Sequence, residues 1–342
     1  MSDFLAADAR ARGLGQHLFR RAEIEALAGT PDLPTLVRNL GRSSQLTQPI
    51  EEPATVARIE AAVRHTAARY LGLLAKWDGA MPALAVFYAG QDRRALRAML
   101  RGAIQGAPGD VRLAGLLPTP DLPERALVLL ARQPSPGKVA AHLVVLRHPY
   151  AERLSPVCAA AHPALLDVEL ALVRAYADRI GKAARKGDAN LVAFARERID
   201  VCNLQLALLL AAGPRDVDGA KCFVEGGRWL SRRDFALACA EEGALPGVAA
   251  SARLSRALAG SPLAPLVGTA ERDPAHLEHA ALVSSITRQR AVALRDPLGS
   301  APLLVFLLRL EAQSLDLLRV AWGAALGAPA ELVRPELATP WN

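Results

Sequence analysis

Residues 70–96 read Tyr70-Leu-Gly-Leu-Leu-Ala-Lys-Trp-Asp78-Gly-Ala-Met-Pro-Ala-Leu-Ala-Val-Phe-Tyr-Ala-Gly-Gln-Asp92-Arg-Arg-Ala-Leu96. An amphipathic run ends at a turn carrying Asp78. A strongly apolar run follows, keeping one acid, Asp92, with Leu96 four residues beyond it. The apolar residues recur at helical and not at alternating spacing, so both runs are helices. The short Asp side chain in the turn supplies an acceptor for the N–H groups that a helix start leaves unpaired.

The same order returns twice. The second copy runs from Tyr176 through Gly187-Asp188 to Asp200-Val-Cys-Asn203-Leu204, and the third from Ile286 through Asp296-Pro-Leu-Gly299 to Glu311 and Leu315. A period of roughly 110 residues divides the chain into helical units over 1–112, 113–213 and 214–342, the last with a C-terminal tail. Asp92, Asp200 and Glu311 then occupy one equivalent position, each expected to pair with an Arg or cap a helix inside its own unit. Gly102, Gly213 and Gly327 are expected as left-handed caps of the three apolar helices, with Pro108, Pro214 and Pro329 beyond them. Short helices open each unit near Leu18, Leu122 and Trp229, the third with Ser231 and Asp234 at capping-box spacing. No alternating run is long enough for a strand. The fold class is all-α, and the tail after Pro329, ending Trp341-Asn342, reads as a loose terminus.

Composition agrees with pattern. Apolar residues make up 51% and aromatics only 4%, and Ala, Leu and Arg, which lose least on entering a helix, dominate. The net charge of +7 is spread along the chain. The densest basic groups, Arg93/Arg94/Arg97/Arg101 and Arg228/Arg232/Arg233, read as solvated helix faces and not as a nucleic-acid stripe. Acidic and basic residues interrupt any N-terminal apolar run, and no apolar stretch reaches the roughly 18 to 20 residues that cross a bilayer. Cys158, Cys202, Cys222 and Cys239 lack paired spacing and read as small buried hydrophobes.

The motifs of catalysis are missing. There is no phosphate-binding loop, no dinucleotide fingerprint, no H-E-x-x-H pair and no nucleophile turn. His276 and His279 stand three apart with no third ligand nearby, and Glu51-Glu52 and Glu241-Glu242 diverge as neighbours on a helix. The expectation is a chain with no catalytic, cofactor-binding or metal-binding residues, no small-molecule substrate and no nucleic-acid partner.

The tripled unit, together with Asp200-Val-Cys-Asn203-Leu204, Phe223-Val-Glu-Gly226-Gly227-Arg-Trp-Leu230 and Asp296-Pro-Leu-Gly299, resembles the C/d family of the V/A-type (vacuolar/archaeal-type) rotary ATPases, a central-stalk component lettered C in the archaeal type and d in eukaryotes. The likeness runs from the first Ala/Arg-rich helix to about Pro329. Asp200, Asn203 and Leu204 match the acid-x-x-Asn-Leu motif of the family, while Ala95 and Ser314 stand where the other copies would carry the Asn. The resemblance implies three lobes in a pseudo-threefold funnel. It also implies a non-catalytic rotor component of the central stalk, peripheral on the cytoplasmic side of the membrane. Its partners would be shaft subunits of the D/F type in the cavity and the proteolipid (c/K/L) ring on the opposite face. A mean hydropathy of +0.16 without a membrane span agrees with apolar surface reserved for partners. A helical-repeat scaffold unrelated to a rotary ATPase is the alternative, although TPR and HEAT arrays repeat at about 34 to 47 residues. An all-α enzyme or nucleic-acid binder is the third reading.

Overall fold

Ala-rich sequence with helical periodicity folds here into helices throughout. The computed structural model describes residues 2–211, 217–240, 246–272 and 276–340, with 2–4, 246–247 and 270–272 described in backbone only. Eighteen α-helices and no strand occur among the described residues.

In chain order, α1 (Ser2–Gly15), α2 (Arg21–Ala28) and α3 (Leu33–Gly41) precede the long α4 (Val56–Leu74) and α5 (Met81–Gln105). The short α6 (Gly109–Leu113), α7 (Glu124–Ala131), α8 (Pro136–Val145) and α9 (Ala151–Cys158) lead into the long α10 (Leu165–Ala184) and α11 (Ala189–Ala211). A third series, α12 (Gly219–Cys222), α13 (Arg232–Cys239), α14 (Pro246–Ala257) and α15 (Ala264–Arg272), leads into α16 (Leu277–Arg295) and α17 (Ala301–Leu326), and α18 (Ala330–Val333) follows. The expected pairs of long helices are therefore α4/α5, α10/α11 and α16/α17.

These long helices pack across the series as well as within them. α10 lies along α5, α4 lies along α17, and α16 lies along α17. One apolar core links all three series, and a second joins Ile24, Leu36, Leu40 and Ile59 to Leu317, Val320, Val333 and Leu337. The N-terminal short helices are thus buried against the last long helix and the C-terminal segment.

The turn acids play different parts. Asp188 caps α11, accepting from Leu191 N at 2.8 Å, and also binds Ser300 N and Oγ, both at 2.6 Å. Asp296 forms an Asx turn with Leu298 N at 3.3 Å, whereas Asp78, itself exposed, begins a 3-10 turn, Asp78–Ala80, that has no side-chain cap. Ser231 caps α13, accepting from Asp234 N at 3.1 Å.

Gly327 ends α17 in the left-handed region, φ 64°, as its position predicts. In α5 that role belongs to Gly106, φ 71°, and not to Gly102. Gly102 lies inside the helix, where Arg112 crosses it so closely that a Cβ would come within 2.6 Å of Arg112 Cγ. Gly323, four residues before Gly327, meets Val333 of α18 in the same way, at 2.9 Å. Gly213 and Pro214 fall outside the described residues, as do Glu241, Glu242, Trp341 and Asn342.

The C-terminal segment is tied down, not loose, through its last described residues. Asp316, fully buried, accepts from Ala338 N and Thr339 N, each at 2.7 Å, and Arg21 donates to Leu337 O at 2.7 Å. Val333, Leu337, Ala338 and Thr339 are buried as a result.

Candidate functional site: buried anchors and a charged centre

Each innermost long helix carries one buried polar side chain that holds the chain just ahead of a short helix. In α11, Asp200 is fully buried and accepts from Arg228 N at 2.7 Å, Trp229 N at 2.9 Å and Leu230 N at 3.2 Å. Gly227 is required there, because a Cβ would sit 2.1 Å from Asp200 Oδ1. Burial raises the Asp200 pKa, with the three N–H groups working against that rise. One turn on, Asn203 accepts from Val224 N at 3.0 Å and donates to Val224 O at 2.8 Å. The acid-x-x-Asn-Leu motif thus fixes the path of residues 224–230 before α13.

In α5, Asp92 accepts from Thr119 Oγ1 at 2.5 Å, and Thr119 Oγ1 accepts from Leu122 N at 2.9 Å. Arg179 bridges Asp92 and Asp121, and its guanidinium lies 5.6 Å from the Tyr150 ring centre. His148, with its side chain fully buried, accepts from Tyr150 N on Nδ1 at 3.1 Å and places Nε2 3.4 Å from Asp92 Oδ2. In α17 the matching side chain is Gln313, whose Oε1 accepts from Phe19 N at 2.7 Å, just ahead of α2. Leu230, Leu122 and Phe19 are equivalent, each a buried residue immediately before the N-cap of a short helix.

This corrects two expectations. Glu311 is not the counterpart of Asp92 and Asp200; Gln313 is, and two residues turn the side chain by roughly 200° around a helix. The motif in the third copy is Gln313-x-x-Asp316-Leu317, so that Asp316 and not Ser314 stands where the second copy has Asn203. The anchors also do not stay within residues 1–112, 113–213 and 214–342. Asp92 holds 119–122, Asp200 holds 228–230, and Gln313 reaches back to Phe19.

Glu311 belongs instead to a charged centre where α5, α10, α11, α16 and α17 meet. Arg94 pairs with Glu311, Arg101 with Glu169, and Arg97 with Glu169 at 3.2 Å and Glu278 at 2.6 Å. Arg93, buried, reaches Glu278 at 3.1 Å and lies 5.3 Å from the Tyr176 ring centre. Arg288 of α16 pairs with Glu197 of α11. A cavity of about 40 Å³, lined by Gln91, Arg93, Arg94, Arg198, Glu278 and Glu311 beside Phe87, Phe194 and Leu307, sits among them. Burial works to raise the Glu278 pKa, but Arg93, Arg97 and Arg94 outweigh it and hold the carboxyl well below its ordinary range.

The Arg93/Arg94/Arg97/Arg101 group is therefore an interior clamp and not a solvated face. Its residues recur every three to four positions, and the acids that meet them come from three other helices. Arg228, Arg232 and Arg233 are exposed, as expected, with Arg232 paired to Glu225 at 2.6 Å.

The remaining candidates stand apart from both features. His276 pairs with Glu336 at 2.8 Å, whereas burial, then Arg319, lowers the pKa of His279. Among the described residues no group of three or more His, Cys, Asp or Glu is placed to hold a metal ion. Cys158, Cys202 and Cys222 are buried, Cys239 is half-buried, and all four are free thiols. Burial pushes Cys158 up to about 11 and Cys239 up to about 12, so both remain protonated at neutral pH. Among the described residues, no helix is long and apolar enough to cross a membrane.

Large apolar side chains stand in solvent on and beside the short helices: Leu129, Val144 and Val145 on α7 and α8, Trp229, Leu237 and Val248 around α13 and α14, and Trp322, Leu326 and Leu332 near α18. Val145 is 80% exposed and Leu326 76%.

Long helices cross-linked by buried and half-buried ion pairs, with apolar side chains exposed at the surface, define an all-helical protein organised around internal bracing and surface contact. The family is specific: the sequence model of the ATP synthase (C/AC39) subunit matches residues 7–336, and the chain belongs to that family, the C/d subunits of V/A-type rotary ATPases. A search of curated proteins returned no match.

Proposed function

We propose that this chain is the non-catalytic rotor component of the central stalk in a V/A-type ATPase or ATP synthase. It would join the shaft to the proteolipid ring on the cytoplasmic side of the membrane and transmit torque for ATP-coupled proton or sodium transport. The family match over residues 7–336 carries this reading.

Two structural features support it. Torque transmission needs a body that does not shear, and the charged centre ties five long helices together through Arg and Glu side chains that are partly or wholly shielded from water. Each pair is shielded from water on at least one side, so sliding one helix past another would break charge-assisted contacts at several points. A coupler also needs surface for two partners, and exposed apolar side chains on and beside the short helices, with Trp322 and Leu326 in the last turns of α17, offer contact area that water does not favour. In this reading the units 1–112, 113–213 and 214–342 form three lobes around a funnel, each inner helix locking its lobe to the next through Asp92, Asp200 or Gln313. The shaft enters the funnel and the ring meets its opposite face.

The test is native mass spectrometry of the tagged chain purified in mild detergent from its own membranes. The expected result is one copy per complex with a nucleotide-hydrolysing head and a proteolipid ring. Recovery alone, or with unrelated soluble partners, would leave an adaptor that shares only the family fold.

A further inference from the structure

The cavity of about 40 Å³ inside the charged centre is lined by three arginines, Arg93, Arg94 and Arg198, but by only two carboxylates, Glu278 and Glu311. Both carboxylates are already engaged, Glu278 by Arg93 at 3.1 Å and Arg97 at 2.6 Å, and Glu311 by Arg94. Just beyond the lining, Arg97 and Arg101 share a further acid, Glu169. Arg198 rests against the Tyr176 hydroxyl, and among the described residues no carboxylate forms an ion pair with it. Its Nη1 is buried without a hydrogen-bond partner. Gln91, 3% exposed, also lines the cavity, and its Oε1 is buried without a partner as well. An amide that turns over about its last bond presents N–H in place of C=O at the same spot. The wall therefore holds one positive charge that no carboxylate matches and two unpaired polar groups around one small space.

An unmatched cation inside a protein is costly, and an anion drawn in beside it removes that cost while accepting from the free N–H groups. We propose that this cavity binds one monovalent inorganic anion of about the size of chloride, held by Arg198 Nη1 and the Gln91 amide and attracted by Arg93 and Arg94. Size and charge set the class. A space of about 40 Å³ takes a halide ion with a water or so, whereas a phosphate ester or a nucleotide does not fit. A divalent anion would overshoot a lining that is one charge short, and a cation would add to the excess. Water alone would satisfy Gln91 and Arg198 as hydrogen-bond partners and leave the charge unmatched. The ion also has a mechanical consequence. It joins α5, which carries Gln91, to α11, which carries Arg198, two helices that no ion pair among the described residues connects directly. Such a site belongs to the chain itself, in whatever assembly it sits.

The test is thermal unfolding of the purified full chain in sodium chloride and in sodium gluconate at equal ionic strength, which cancels general screening. The melting temperature is expected to be at least about 2 °C higher in chloride, the scale of a site filled well above its dissociation constant in a chain of this length. Gln91→Glu supplies the missing negative charge from the chain itself. It is expected to melt in gluconate no lower than wild type does in chloride, and to lose the chloride dependence. Arg198→Gln is expected to lose that dependence too, with circular dichroism checking that the variant is folded. Crystals grown in sodium bromide are expected to show an anomalous scattering peak between Gln91 and Arg198 in wild type and none there in Gln91→Glu. Equal melting of wild type in the two salts, a chloride effect that both substitutions leave unchanged, or water density in the cavity without an anomalous peak would each overturn the proposal.

Discussion

Replacing Asp200 with Ala removes the acceptor for three backbone N–H groups at once. A buried donor left without a partner costs about 1–3 kcal/mol. Arg228 and Trp229 are exposed residues, so water reaches part of that stretch, while Leu230 is buried and bears the full penalty. The substitution also relieves the cost of burying a carboxylate, which is why the Asp200 pKa stands above its ordinary value. The balance is a net loss of about 2–4 kcal/mol.

Gly227 supplies an internal control. Its Cβ would lie 2.1 Å from Asp200 Oδ1, so Gly227→Ala forces the carboxylate off its N–H groups in the wild-type background and meets no such obstacle once Asp200 is Ala. The two substitutions should be non-additive by about 1–3 kcal/mol, the double variant being more stable than the sum of the singles predicts. Urea unfolding of the four purified chains, followed by circular dichroism, measures this. An Asp200→Ala variant within about 0.5 kcal/mol of wild type, the range of an ordinary surface change, together with additive effects, would refute the claim that this carboxylate holds residues 228–230 to α11.

Three further outcomes follow from the same contacts. Asp92→Ala should destabilise the chain by about 3 kcal/mol, since Arg179 keeps Asp121 but loses its buried partner and Thr119 loses its acceptor; thermal unfolding checks it. Asp316→Ala should free residues 338 and 339, and limited digestion with a glutamyl endopeptidase should then cut after Glu336 at least several-fold faster than in wild type. Glu278 has a folded pKa held below its ordinary 4.5. Its contribution is therefore present above that value and lost as pH falls below it, so Glu278→Gln should flatten the acid limb of a stability-against-pH curve while lowering stability at neutral pH.

Periodicity makes the helices and the three long pairs legible, because an apolar helical run needs no knowledge of its partners. Asp188 is legible for the same reason: a cap is a local interaction between a side chain and N–H groups two or three residues away. The anchors are partly legible. Asp200 and Asn203 stand out as polar residues on an apolar helix, but what they hold lies more than 20 residues onward, and nothing local reveals it. Gln313 escapes the pattern because an acid, Glu311, lies two residues earlier and completes it by residue type, whereas the helix turns that acid toward Arg94. The Arg93/Arg97/Arg101 stripe reads as a solvated face because its carboxylates, Glu169 and Glu278, come from α10 and α16. The C-terminal segment reads as loose because Asp316 and Arg21, which fix it, lie in the helices α17 and α2.

A rotor component has a fixed position in its assembly, which electron cryomicroscopy of the intact complex from native membranes would reveal. Density for this chain is expected once per complex, between the foot of the shaft and the proteolipid ring, with its short helices in contact with a partner. Density at the periphery of the complex, or a complete rotary assembly without this chain, would contradict it.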